Sequence, residues 1–256
     1  MATVRAPTDS LLAVNGTGGY VRLGLVLLVL TGLAALVSHL GRLQFSRAAL
    51  TAAARATLQL GVVGVLIAAV LRSWWLTAMF VALMLTTAAL TSGRRIAPGG
   101  RWWWAAAPVC AAAVPVGAGL LASGLVPLTE VAVVPILGIL IGGAMTATTL
   151  AGRRALDALR QRHGEFEAGL SIGLLRRDSA LLVARPDAAL ALVPGLDQTR
   201  TVGLVTLPGA FVGMLLGGAT PLQAAAVQLL VLVALLLVQS LATLVTVEVI
   251  ARDRLR

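Results

Sequence analysis

The sequence predicts an all-α, polytopic membrane protein of about seven transmembrane helices, with its N-terminus outside and its C-terminus in the cytoplasm. Three observations carry that expectation. Hydrophobic residues fill 59% of the 256 positions and charged residues only 12%, about half the ~25% of an average soluble domain. The apolar residues fall into runs of the ~20 that a bilayer crossing needs, separated by short breaks bearing arginine, glycine or proline. All twenty basic residues are arginine, and most of them collect in alternate breaks.

The first span is expected at 21–40, after a polar N-terminus carrying Arg5 and Asp9. A cleaved signal peptide carries its positive charge before the apolar run and a small-residue cleavage site after it. Here Arg42 and Arg47 behind the run outweigh Arg22 close before it, so this run reads as a retained helix. The second span, 48–71, holds Arg55 about two turns inside. The third, 73–92, opens on Trp74 and Trp75, and the fourth, 102–125, opens on Trp102, Trp103 and Trp104. Those rings suit the headgroup level at opposite faces of the bilayer. The lone Cys110 inside the fourth span has no intrachain partner and reads as packing.

The fifth, sixth and seventh spans are expected at 128–150, 201–218 and 222–249. Residues 178–193 are apolar enough to tempt a further span, but Arg185, Pro186 and Asp187 interrupt them. Residues 151–200 therefore read as a long cytoplasmic helical connection within one transmembrane permease domain, 1–256. With this layout sixteen of the twenty arginines face the cytoplasm, as retained loops require. Arg5, Arg22 and Arg72 fall outside, and Arg55 lies within the membrane.

Several function classes are excluded. A nucleic-acid surface needs its basic residues clustered on one soluble face, whereas these punctuate apolar runs. A nucleotide-binding P-loop needs a lysine, and the chain has none, so ATP chemistry must come from a partner. An intramembrane enzyme needs a buried nucleophile and base, and both His39 and His163 sit at or beyond the cytoplasmic boundary. The chain is therefore expected to be no enzyme, to bind no cofactor and to hold no metal site. Met79, Met84, Met145 and Met214 could ligate a soft ion but are more often gap-filling core residues.

The long connection carries the strongest local motif. Glu167-Ala168-Gly169, three residues, Gly173, nine residues and Val183-Ala184-Arg185-Pro186 resemble the cytoplasmic coupling pattern of ABC importer permeases. The residues suit a short helix, a glycine turn and a second helix, forming a knob for a groove on an ATPase. Glu167, Ala168, Gly169, Gly173, Arg176, Arg177 and Arg185 are its candidates. An ordinary amphipathic interfacial helix stays open as the alternative on this motif.

Polar residues inside apolar spans mark interiors or aqueous paths. Arg55 and Gln59 share one face of the second span, and Gln228, Gln239, Thr243 and Thr246 form a stripe on the seventh. They are expected to line a translocation path or gate, with Glu248 or Asp197 neutralising Arg55; snorkelling of Arg55 to the headgroups stays open. Gly138 with Gly142, and Gly209 with Gly213 and Gly217, repeat every four residues, a spacing that lets helices approach closely. Glu130 reads as a helix-start carboxylate favoured by the dipole.

From Leu170 to Gly209 the chain resembles the FetB-type permease family. The carrying residues are Leu170, Ser171, Gly173, Arg185, Pro194 and Asp197, then Thr201-Val202-Gly203-Leu204-Val205 and Leu207-Pro208-Gly209. Arg55 with Gln59, Pro135, Gly138, Gly142, Ala144 and Met145, and Pro221 with Gln228, extend the likeness over roughly 48–245. Gly143 and Pro186 depart from the family, which usually has asparagine and an acidic residue there. The resemblance implies an inner-membrane permease homodimer with two cytoplasmic ABC ATPase subunits that bind ATP and Mg. It also implies export of a metal ion such as iron. An ATP-independent secondary transporter, or an ABC permease for a small organic solute, is the alternative. Membrane lipid is the expected surrounding, and no nucleic acid is expected as a partner.

Overall fold

The computed structural model describes residues 16–253; the expectations resting on Arg5, Asp9, Arg254 and Arg256 lie outside the described residues. Among these residues the regular structure is helical, broken only by an isolated bridge between Val202 and Thr206. The chain divides into two compact units, one ending at Ala68 and the other starting at Ala69.

The N-terminal unit contains α1 (Gly16–Leu40) and nearly all of α2 (Ser46–Val70). Their link is tight: Gly41 N–H donates to the Val37 carbonyl at 2.8 Å and Phe45 N–H to Ser38 Oγ at 3.2 Å. Arg42 and Gln44 take positive φ of 50° and 59° there, which ends the first helix sharply.

The second unit begins with α3 (Trp74–Ile96), which a short 3-10 turn at Trp102–Ala105 leads into α4 (Ala106–Ala122). Next come α5 (Glu130–Gln161), α6 (His163–Ser171), α7 (Arg176–Ala189), a second 3-10 turn (Leu190–Leu192) and α8 (Val193–Thr201). The short α9 (Gly209–Leu216) and the long α10 (Pro221–Ala251) complete it. Local sequence sets the starts: Glu130 lies in the first turn of α5, where the dipole favours a carboxylate. Thr220 and Gln223 form a reciprocal capping box ahead of α10, with Pro221 at its first position.

Side-chain meetings fix the helix directions. Met84 of α3 abuts Gly138 of α5, Ser92 donates to the Met145 carbonyl at 3.2 Å, and Ile96 abuts Gly152, so α3 and α5 run parallel. Leu235 of α10 packs on Gly143, and Val247 and Ile250 share a core with Ala151 and Ala155, so α10 runs the same way. Trp102, leading into α4, meets Gly93 near the end of α3, while Gly117 meets Leu137 early in α5, so α4 runs antiparallel to both. The mid-bundle core is largely alanine, with Ala88, Ala112, Ala144, Ala147, Ala234 and Ala242 buried together, and small side chains let helix backbones draw close. Among the described glycines the tightest approach to backbone is at Gly93, where a Cβ would stand 2.2 Å from the Trp102 carbonyl oxygen.

Seven described helical runs are long and apolar enough to cross a bilayer: 17–40, 46–70, 74–96, 102–122, 130–161, 176–201 and 221–251. The count matches the sequence expectation, but the sixth member differs. Residues 201–218 yield only the eight-residue α9, about 12 Å long at 1.5 Å per residue, too short for the ~30 Å hydrocarbon core. Gly203 at φ 83° and Pro208, which disfavours helix at the residue before it, break that stretch. Residues 176–201 form the continuous run instead. Their expected break at Arg185-Pro186-Asp187 is bridged because Arg162, between α5 and α6, donates to the Val183 carbonyl and lies 3.5 Å from the Asp187 carboxylate. The fifth helix also outruns its expected end at 150, continuing to Gln161.

Candidate functional site at the arginine-rich end

Because α3, α5 and α10 run parallel, their C-terminal ends bring Arg94, Arg95, Arg153, Arg154, Arg160 and Arg252 to one end of the second unit. Arg153 Nε donates to the Arg95 carbonyl at 3.0 Å. α7 packs against this end, burying Ala180, Leu181, Val183, Ala184 and Ala188 in one core with Leu156, Leu159, Val247 and Ile250. The short α6 precedes it, and the two meet at a turn.

That turn is specified by its sequence. Gly173, at φ 92°, donates its N–H to the Leu170 carbonyl at 3.0 Å, while Leu174 N–H donates to the Gly169 carbonyl at 3.0 Å. This pair of bonds is the Schellman ending, which favours glycine at the left-handed position. Ser179 Oγ donates to the Phe166 carbonyl at 2.6 Å. It packs on Gly169, where a Cβ would come within 2.4 Å of it. Glycine at 169 sets the close approach of α6 and α7, and glycine at 173 sets the bend. Leu170, Ile172 and Leu175 are exposed around the bend, Ile172 to 80%.

A charge clamp ties this hairpin to α10. Arg177 grips Glu248 with two hydrogen bonds, Nε at 2.6 Å and Nη2 at 2.8 Å. Arg252 Nε adds a third at 2.7 Å. Arg177 Nη1 also meets Asp178 at 2.8 Å, and Arg176 pairs with Asp253 at 3.5 Å while lying over the Phe166 ring. Bidentate guanidinium–carboxylate pairs are the geometrically demanding kind. Glu167 faces outward, 3.4 Å from His163 Nδ1, and Ala168 is exposed beside it. Arg185 is exposed on α7 and lines a cavity with Trp104, Glu248 and Arg252.

The polar stripe of α10 faces inward. Gln228 and Gln239 are buried, and among the described residues Gln228 Oε1, Gln239 Oε1 and Thr243 Oγ1 have no hydrogen-bond partner; nor has Thr148 Oγ1 on α5. Gln239 lies between Gly143 of α5 and Gly195 of α8, where a Cβ would stand 1.9 Å from Oε1. Thr246 Oγ1 turns back to the Ala242 carbonyl at 2.6 Å.

The other sequence candidates are spread more widely. Arg55 and Gln59 lie one turn apart on α2 in the N-terminal unit. Glu248 and Asp197, the carboxylates expected to neutralise Arg55, hold partners in their own unit, Asp197 pairing with Arg200 at 3.8 Å. Of the packing glycines, Gly138 meets the Met84 methyl, but the side of Gly142, Gly209 and Gly213 is open and Gly217 meets only backbone of its own helix. Closer approaches are at Gly93, Gly117, Gly143, Gly152, Gly169 and Gly195. Among the described residues, no group of three or more His, Cys, Asp or Glu side chains could hold a metal. The clamp at Glu248 was missed by sequence reasoning; the four-residue spacing to Arg252, which places both on one helix face, was its only local signal.

Helices of bilayer length, joined by short links and gathering their arginines at one end, define a polytopic membrane protein. The chain belongs to UPF0014, described as an uncharacterised protein family, which it matches over residues 21–255. Protein ALUMINUM SENSITIVE 3 of Arabidopsis thaliana is 37% identical over 106 residues, 41% of this chain and 39% of that protein. Rice STAR2, a UPF0014 membrane protein, is 34% identical over 106 residues, 41% of this chain and 37% of its own length. The Escherichia coli K12 protein named Probable iron export permease protein FetB is 32% identical over 138 residues, 52% and 53% of the two chains. The matches thus span between about two-fifths and half of these relatives' lengths. No solved structure matches the chain significantly.

Proposed function

We propose that this chain is the inner-membrane permease subunit of an ABC transporter. In this reading it works as a homodimer, exports a metal cation such as iron, and is driven by two copies of a separate cytoplasmic ATPase that bind the ATP and Mg. The observation that carries the reading is the α6–α7 hairpin. It presents exposed Leu170, Ile172 and Leu175 on a glycine turn, at the end where the arginines collect and loops retained in the cytoplasm are expected. An apolar tip on a rigid turn, tied by Arg177 and Glu248 to the long core helix α10, suits a part that seats in another protein and passes its motion inward. The name of the E. coli relative, a probable iron export permease, supports the direction and the cargo.

In this mechanism ATP binding draws the two ATPase subunits together, the hairpin follows, and the Arg177–Glu248–Arg252 clamp hands the displacement to α10. The inward-facing stripe of Gln228, Gln239 and Thr243 lies on that same helix and offers unpaired oxygens to a polar cargo, with Arg55, Gln59 and Asp197 as further path candidates. Directional transport then requires cargo affinity to differ between the two access states. The test is ATP-driven cation flux in inverted vesicles holding the permease and a cytoplasmic ABC ATPase that co-purifies with it. Flux of Fe²⁺ that depends on ATP and is lost in Gln239→Leu supports the reading. ATP-independent flux instead favours a secondary transporter, and ATP-driven flux of an organic solute with none of Fe²⁺ replaces the cargo.

A further inference from the structure

We infer that the face formed by α4 and α10 holds an anionic phospholipid of the leaflet at the arginine-rich end, its phosphate on Arg185, Arg177 and Arg252. At that end a cavity of about 610 Å³ is walled by Trp104, Val245 and Glu248 together with these three arginines. Its charge is unbalanced. The one carboxylate inside it, Glu248, already takes three hydrogen bonds, from Arg177 twice and from Arg252. Asp178 meets Arg177 from the opposite side. Three guanidiniums therefore meet two carboxylates, and among the described residues Arg185 has neither an ion pair nor a side-chain hydrogen bond. One net positive charge remains, the complement of one phosphate.

Further along α10 from the cavity lies an apolar groove of about 530 Å³ between α4 and α10. Leu241, in the groove, lies one turn from Leu244 and Val245, in the cavity, so the two follow one face of α10. Pro115 and Gly119 on α4 leave the opposite wall shallow. From Leu241 to Leu230 the groove runs about 16 Å at 1.5 Å per residue, close to half of the ~30 Å hydrocarbon thickness. That is the depth of one leaflet. A basic pocket between helices at the headgroup level, opening on a leaflet-deep apolar groove, selects a lipid with an anionic head. Trp104 beside the arginines supplies an aromatic surface at the same level. The inference needs only the membrane setting and stands apart from ATPase coupling.

The test is native mass spectrometry of the full-length permease released from detergent. Phosphatidylglycerol and phosphatidylethanolamine are titrated against wild type, the double variant Arg185→Gln with Arg252→Gln, and Leu237→Trp. Wild type is expected to retain phosphatidylglycerol roughly tenfold better than phosphatidylethanolamine. The double variant is expected to lose that preference, and Leu237→Trp, which fills the groove, to retain less of both lipids. Glycerol 3-phosphate at millimolar concentration is expected to leave the lipid bound. Equal retention of the two lipids by wild type, variants that bind as wild type does, or displacement by the soluble phosphate would each overturn the inference. So would efficient disulfide cross-linking of Leu237→Cys between two copies, which would assign the face to a second chain.

Discussion

At the scale of single residues, two glycines of α3 and α5 make opposite forecasts. A methyl group on Gly93 would press on backbone atoms of Trp102, its carbonyl oxygen 2.2 Å away, and backbone cannot rotate aside. Gly93→Ala is expected to cost about 1–3 kcal/mol, read as a lowered melting temperature in detergent. Gly142 has nothing within 4 Å of such a methyl, so Gly142→Ala should hold or gain up to ~1 kcal/mol from helix propensity. A loss there would show that a second copy packs on that face. Glu248→Gln leaves Arg177 and Arg252 without their shared carboxylate. Because the clamp is partly exposed, the loss should be about 1 kcal/mol or less and shrink with added salt. Residue identities were legible in the sequence where each acts alone. The glycine at 173 could be chosen for its turn, but Glu248 could not be paired with Arg177, 71 positions away, since nothing local records that meeting.

Between residue and molecule stands the α6–α7 hairpin, whose geometry depends on one left-handed backbone position. Gly173→Val at φ 92° is expected to strain the turn by about 1–2 kcal/mol and, under the proposed coupling to an ABC ATPase, to reduce co-purification of that subunit severalfold, while membrane insertion stays unchanged. Glu167→Arg, exposed and outside the packed interface of α6 with α7, should weaken that co-purification without moving the melting temperature. Undiminished ATPase recovery in both variants would remove the hairpin from the coupling path. Element boundaries show how far pattern reading reaches. The long apolar runs announced α1 to α5 and α10 because their length and composition alone demand lipid. The run 176–201 was hidden because its charges look like a break until Arg162 is seen answering Val183 and Asp187 from the junction of α5 and α6. Conversely 201–218 has the composition of a span, but Gly203 and Pro208 deny it the backbone. A tertiary partner decided the first case, which a linear pattern does not contain; the second turned on local backbone chemistry that apolar composition alone passes over.

Across the whole molecule, the arrangement of α3 and α4 puts the five tryptophans at two opposite extremes. Trp74 and Trp75 open α3, Trp102, Trp103 and Trp104 open α4, and consecutive antiparallel helices begin on opposite sides. Ultraviolet emission from this chain therefore samples the two water boundaries and none of the hydrocarbon interior. Iodide added outside sealed right-side-out vesicles should dim the pair in wild type and dim almost nothing in a Trp74→Phe, Trp75→Phe double variant. Reversed vesicles should expose the triplet instead. An untagged protein thus carries its own optical compass, and the side on which each group dims reports which way the helices are threaded.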